Sequence, residues 1–350
     1  MKTQIKYAQA LLEKMPRAKL GFFPTPLHKL EKLSKKLGVE LYLKRDDLTG
    51  INVYGGNKMR KLEFLLGDAI LRGAKYVITF GATQSNHAMQ TVAACRMCNL
   101  EPILFLLSIV RPDENDLRGN MLLDKIMGAE VNIVSAEGKP MFESFELSRL
   151  QSEKRIRELE KQGHKCYVIP TGGANPIGSI GFISGFVELI AQANKMDIQL
   201  DYICHATGSG GTLAGLAAGK KLLESKVEIL SFSVSEKPEE HPTTVANLAK
   251  DAIKLLGADK MITPDDLNFD SNYLGEGYEI PTDASTEALK LLARTEGILI
   301  DPVYTAKAFS GLLDYIEKGT IPQGSKVLFW HTGGATALFA EKQIVGDVCS

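Results

Sequence analysis

Tyr202-Ile203-Cys204-His205-Ala206-Thr207-Gly208-Ser209-Gly210-Gly211-Thr212-Leu213 decides the fold of this chain. Tyr202–Ala206 is a short β-rich run and predicts a strand, and Leu213–Leu223 has the apolar spacing of a helix. The residues between them, Thr207, Gly208, Ser209, Gly210, Gly211 and Thr212, are all small. Small side chains leave backbone N–H groups open, and a helix start adds a partial positive charge. Strand, turn and helix together therefore form a cradle for a phosphate. The dinucleotide fingerprint G-x-G-x-x-G fails because Leu213 takes its third glycine, and a Walker A loop fails because Gly219-Lys220 is followed by Lys221. A turn that merely packs small residues is the plain alternative at this point.

The same strand-then-helix rhythm runs outward in both directions. Strands are predicted at Leu41–Lys44, Tyr76–Phe80, Ile103–Leu107, Glu130–Val134, Cys166–Ile169, Ile229–Val234 and Lys326–His331. Helices are predicted near 58–72, 85–98, 115–127, 142–162, 177–193, 211–224, 240–256, 284–296, 305–317 and 335–343. Such alternation argues for an α/β fold with mostly parallel sheets. Dense turn signals stand at Asn52–Gly56 and at Pro170–Pro176. They read as two crossings, which predicts a large domain from 1–55 and 170–350 and a small domain inserted at 56–169.

Bulk properties narrow the function. The chain has 350 residues and a net charge of −1, so nothing favours nucleic acid or an anionic membrane. Met1–Leu20 is charged and lacks an apolar signal core, and Phe182–Ala193, although apolar, contains Glu188 and reads as a buried helix. Five cysteines form no disulfide framework, and the expectation is a cytoplasmic protein. Cys95 and Cys98 have C-x-x-C spacing but lie inside a helical run with no second pair, and His28, His164, His205 and His241 lack metal-ligand spacing, so no metal is expected.

Several other turns could carry chemistry. Lys58 follows the glycine pair Gly55-Gly56 and opens a helical run at Leu62, Leu65, Leu66 and Ala69. An amine held at such a turn can form an imine with a carbonyl, and pyridoxal phosphate is the commonest carbonyl cofactor; a solvated lysine is the bland reading. Thr83-Gln84-Ser85-Asn86-His87 also stands between a strand and a helix. Ser85 and Asn86 are natural caps there, and the same free N–H groups would hold a substrate carboxylate, while Asn86 could donate to a cofactor hydroxyl. Asp301-Pro302-Val303-Tyr304-Thr305 and His331-Thr332-Gly333-Gly334 follow strands in the same sense, and Tyr278 lies in a glycine-rich loop. Ligands in doubly wound sheets sit outside the carboxyl ends of strands, so one site could gather these turns.

These segments in this order resemble the D-cysteine desulfhydrase / 1-aminocyclopropane-1-carboxylate (ACC) deaminase family of tryptophan-synthase-β-like, fold type II, pyridoxal-phosphate enzymes. The resemblance runs from Pro24-Thr25-Pro26-Leu27 through Tyr42–Gly50, Gly55–Glu63, Gln84–His87, Gly119–Lys125, Thr207–Gly215 and Asp301–Lys307 to His331–Gly334. It implies two open twisted sheets with helices on both faces. It implies that Lys58 carries the cofactor and moves the Cα proton, that Asn86 contacts the cofactor's phenolic oxygen, and that 208–212 hold its phosphate. Ser85, with Asn86 and His87, binds the substrate carboxylate and assists proton transfer; Tyr304 lies against the substrate and Tyr278 opposite it. It also implies a small amino-acid substrate and a homodimer.

One departure bears on the activity. ACC deaminases in this family have Glu after the tyrosine of the Asp-Pro-Val-Tyr motif, where this chain has Thr305, and Leu where it has Thr332. A carboxylate beside the pyridine nitrogen keeps it protonated and the ring a strong electron sink; a threonine hydroxyl, from Thr332 in preference to Thr305, gives a weaker one. Opening a cyclopropane needs the strong sink, and expelling a thiolate does not. The expected reaction is β-elimination of D-cysteine, with ACC deaminase or cysteate sulfo-lyase as alternatives and amino-acid racemase more remote.

Overall fold

The computed structural model describes residues 2–50, 54–113, 115–136 and 141–348. Among the described residues ten strands fall into two sheets. The larger comprises β1 (Leu27–Lys29), β2 (Glu40–Arg45), β7 (Tyr202–Thr207), β8 (Glu228–Ser233), β9 (Asn268–Asp270) and β10 (Lys326–His331), in the order β1-β2-β10-β7-β8-β9. Only the β1–β2 pairing in it is antiparallel. The smaller comprises β3 (Tyr76–Ala82), β4 (Glu101–Ser108), β5 (Glu130–Ser135) and β6 (Cys166–Ile169), all parallel, in the order β5-β4-β3-β6.

Alternation along each strand explains why both faces of the large sheet are covered. Leu328 and Trp330 of β10 join one apolar core with α1 (Lys2–Leu12), α7 (Pro176–Lys195), α8 (Gly211–Leu223) and α9 (His241–Leu255). Val327 and Phe329, one residue out of phase, join the opposite core with α2 (Glu31–Leu37), α10 (Asp283–Glu296) and α11 (Thr305–Glu317). The small sheet packs α3 (Lys58–Leu71), α4 (Asn86–Met97) and α5 (Gly119–Ile126) against it through Leu62, Leu66, Val92 and Met121, and α6 (Met141–Lys161) through Leu159.

α7 is long and apolar enough to cross a membrane, yet it is a core helix packed against α3, α8 and α9. At Gly181 a Cβ would fall 2.1 Å from the backbone oxygen of Arg60, so a larger residue would push α3 and α7 apart. Glu188, the acid within this helix, faces buried cations: Lys44 Nζ at 2.5 Å and Arg60 Nη2 at 2.9 Å. Burial alone would raise Glu188, but Arg60 and Lys44 hold it down at about 2.

Three expectations need correction. No single helix covers 335–343: a 3-10 turn (Ala335–Phe339) and a one-turn helix, α12 (Lys342–Val345), flank extended backbone at Ala340 and Glu341, where ψ is −168° and 145°. The helix expected from 115 begins at Gly119, because Arg118 is extended and the Asn120 N–H donates to Gln84 Oε1 at 2.8 Å. The elements α1, α2, β1 and β9 were not expected; each is short or is held by tertiary packing rather than by a strong local pattern. Part of the Asn52–Gly56 turn lies outside the described residues; Gly56 pairs with Gly333.

Candidate active site

Strands β3, β7 and β10 point their carboxyl ends at one cavity of about 610 Å³. Its wall contains Lys58, Ser85, Asn86, His87, Thr207, Gly208, Ser209, Gly210, Thr212, Tyr278, Tyr304 and Thr332. Gly211 and Thr305 are the two candidates outside that wall. A Cβ on Gly211 would lie 2.9 Å from Lys61 Nζ and 3.0 Å from Ala174 Cα, which places the residue's side-chain position toward the protein. Thr305 Oγ1 accepts from the Asp301 N–H at 2.7 Å and donates to the Asp301 carboxylate, so this hydroxyl is committed away from the cavity.

Lys58 is the first residue of α3. The chain before it is clipped to the end of β10: the Asn57 N–H donates to the Thr332 carbonyl at 3.0 Å, and Asn57 Nδ2 donates to Thr212 Oγ1 at 3.3 Å. Lysine, phosphate turn and Thr332 are thus held in one frame. Burial lowers Lys58 to about 8, against the opposing pull of Asp301. An amine lowered from its ordinary value is more often in the free form that acts as nucleophile and base.

The phosphate turn has the features of an anion cradle. Gly210 caps α8 at φ 84°, a left-handed conformation that suits glycine. The first N–H groups of a helix have no partner within it. Thr207 Oγ1 is buried without a partner among the described residues. Behind the turn, Lys61 is fully buried and donates to the Gly172 carbonyl at 2.9 Å. Burial, then the neighbouring Lys58, pushes Lys61 well below its ordinary value. An orphaned hydroxyl, open amides and a buried amine without a carboxylate among the described residues suit a phosphate dianion.

Ser85 caps α4, accepting from the Ala88 N–H at 3.2 Å. Asn86 Oδ1 accepts from Asn120 Nδ2 at 2.9 Å and Thr336 Oγ1 at 3.2 Å, which fixes its amide with the NH₂ group left to donate. His87 Nε2 meets Thr79 Oγ1 at 2.9 Å while Nδ1 is buried and has no partner among the described residues. Burial, reinforced by Lys58 and Lys61, holds this imidazole neutral. On the opposite wall the hydroxyls of Tyr278 and Tyr304 are hydrogen-bonded, with rings edge-on at 5.7 Å. Burial raises both phenols, so both are neutral.

Asp301 and Lys61 went unassigned in the sequence. Asp301 accepts from the N–H groups of Val303, Tyr304 and Thr305 at 3.0, 2.7 and 2.8 Å, and so sets the turn that presents Tyr304. An acid four residues before a helix-starting threonine was the available signal. Lys61 carried none, since a lysine in a polar helix start resembles a solvated one. Among the described residues no cluster of metal-ligating side chains occurs, and Cys95 is buried with its thiol raised by burial.

Comparison with known proteins agrees with this geometry. A family profile described as "Pyridoxal-phosphate dependent enzyme" matches residues 18–333. The chain is 42% identical over 331 residues to a "Putative 1-aminocyclopropane-1-carboxylate deaminase" of Pyrococcus furiosus, covering 95% of each chain. It is 40% identical to a "D-cysteine desulfhydrase" of Salmonella paratyphi C, covering 94% of this chain and 97% of the relative. A solved structure described as an "ACC deaminase homologue" superposes with a TM-score of 0.83 at 40% identity, covering 95% of this chain and 96% of the other.

Proposed function

The chain belongs to the pyridoxal-phosphate dependent enzymes, in the fold type II group that joins ACC deaminases and D-cysteine desulfhydrases, and from that premise we propose that its substrate is D-cysteine. D-cysteine and water would yield sulfide, pyruvate and ammonia. The observation that carries this choice is the hydroxyl of Thr332 in the cavity wall, with Thr305 locked onto Asp301 and no buried carboxylate in the wall. Wall carboxylates are confined to Glu236 and Glu276, both exposed.

Pyridoxal phosphate, when bound, supplies an electron sink for the pair left on the substrate's Cα. Lys58 would hold the cofactor covalently, and its amine would take the Cα proton. The turn at 207–212, with Lys61 behind it, would hold the phosphate. The Asn86 amide, fixed by Asn120 and Thr336, would donate to the phenolic oxygen, and Thr332 would meet the ring nitrogen. The N–H groups and Ser85 hydroxyl at the start of α4 would hold the substrate carboxylate, with His87 beside them. The neutral tyrosine pair would face the substrate and could donate a proton to the departing sulfur. The accompanying proposals are a small domain at 56–169 inserted in a large one and a cytoplasmic homodimer of the 38.2 kDa chain, which light scattering and cell fractionation check.

The test is product release from D-cysteine, L-cysteine, ACC and cysteate by the purified holoenzyme. Sulfide and pyruvate from D-cysteine are expected. Ammonia and 2-oxobutyrate from ACC, with no sulfide from D-cysteine, would overturn the assignment. Lys58→Ala should remove both turnover and the visible absorbance of the bound cofactor while preserving the far-ultraviolet circular dichroism.

A further inference from the structure

Glu279 is anomalous in three ways. Its φ is 65°, a left-handed value rare outside glycine. It is 1% exposed. Both carboxylate oxygens are buried without a hydrogen-bond partner among the described residues. Each feature is unfavourable by itself, and an unpartnered buried acid calls for an explanation. The residue follows Tyr278 directly, and its charge acts on the hydroxyls of both Tyr278 and Tyr304. The cavity wall contains Gly277 and Tyr278 but not Glu279, which stands outside it.

The charged groups around it do not neutralise it. Glu341 faces it and adds like charge, and burial together with Glu341 raises Glu279 to about 7. Glu341 in turn accepts from Gln84 Nε2 at 3.1 Å, and Arg118 beyond it is paired with Asp116. Asp301 acts on the same two tyrosines. Lys307 gives its amine to the carbonyls of Leu274 and Gly277, both at 2.7 Å. The wall's own lysines are elsewhere: Lys58 at the cofactor position and Lys237 bonded to Ser235, near the phosphate turn. Glu276 contributes a further negative charge to the wall beside the tyrosines.

We propose that Glu279 determines specificity as a buried negative charge behind the tyrosine wall, so that this site takes amino acids with an uncharged β-substituent and rejects those with an anionic one. The inference rests on the lyase reading of the same cavity and narrows its substrate class: a thiol is accepted, a sulfonate is not. The physical basis is repulsion in a weakly screened interior, the repulsive half of selectivity. A glutamate retained where glycine would be unstrained is a stability sacrifice that such selectivity explains.

The experiment measures equilibrium binding of D-alanine and D-cysteate to the holoenzyme by calorimetry between pH 6 and 8. The two ligands share amine and carboxylate, so the ratio of their dissociation constants isolates the side-chain charge. In the wild type D-alanine should bind better, and the ratio should widen as pH rises and Glu279 ionises. Glu279→Gln and Glu279→Gly should each improve relative D-cysteate binding about tenfold and flatten its pH dependence. Glycine suits the left-handed backbone, and the wild-type pH series needs no variant at all. A ratio indifferent to pH, or unchanged in both variants, would overturn the proposal. Absence of sulfide from D-cysteine would instead overturn the lyase reading, and the binding ratio would still be readable.

Discussion

Asp46→Asn tests whether the buried charges under α3 hold the active-site lysine in place. Asp46 is fully buried and accepts from Arg60 Nε at 2.7 Å, Arg60 Nη2 at 2.8 Å, Thr25 Oγ1 at 2.9 Å and Trp330 Nε1 at 2.8 Å. Arg60 is two residues beyond Lys58, in the first turn of the same helix. An amide in place of the carboxylate aims its own two protons at donors and leaves Arg60 with Glu188 as its remaining anionic partner, beside the Thr25 hydroxyl. Removing one member of a buried pair costs about 3–5 kcal/mol, and the surviving Glu188 contact argues for the lower end. At roughly 2 °C per kcal/mol for a chain of this size, the melting temperature should fall by about 6 °C. Trp330 is the sole tryptophan and belongs to the network, so its fluorescence reports the site while circular dichroism reports the whole fold. The control is Lys29→Ala, which breaks a half-exposed pair with Glu40 and should cost under about 1 kcal/mol. An Asp46→Asn melting temperature no lower than that of the control would refute the reasoning.

Two other perturbations have signs that the structure dictates. Lys61→Met removes the buried amine behind the phosphate turn while keeping its volume; cofactor dissociation should rise about tenfold or more while the apoprotein loses no stability, and unchanged cofactor affinity would count against this role. Glu279→Gly should stabilise the chain increasingly as pH rises. Glu279 is raised from 4.5 to about 7, so its ionisation penalty is absent below pH 4.5 and complete above pH 7, reaching about 3 kcal/mol. Relief of the left-handed backbone adds about 1 kcal/mol at every pH, part of it offset by glycine's entropy. A difference in melting temperature between variant and wild type that stays constant from pH 5 to 8 would contradict this account.

Much of the architecture was legible because local rules act alone in parallel α/β units. β6 and β10 have their expected limits, and α3, α8 and α11 begin where their small or capping residues stop the preceding turn. The turn at 207–212 was readable as a candidate phosphate cradle for the same reason, with plain packing of small residues as its alternative. The broken 335–343 segment shows where such rules fail, since its apolar spacing suits a helix but Glu341 is drawn out to Gln84 by a contact spanning 257 residues. Thr332 was preferred to Thr305 in one dimension without a local rule to separate them, and packing commits Thr305 to Asp301 and gives Thr332 to the cavity wall.

The linear chain thus determined the α/β class, because strand alternation and helix spacing are local properties, and its turn motifs in their order carried the resemblance to pyridoxal-phosphate enzymes. Tertiary structure alone decided that Thr332 and not Thr305 lines the cavity, why Glu188 and Lys61 are tolerated in the interior, and that Glu279 is buried without a partner among the described residues. Those outcomes depend on electrostatics and desolvation, which are set by neighbours distant in sequence.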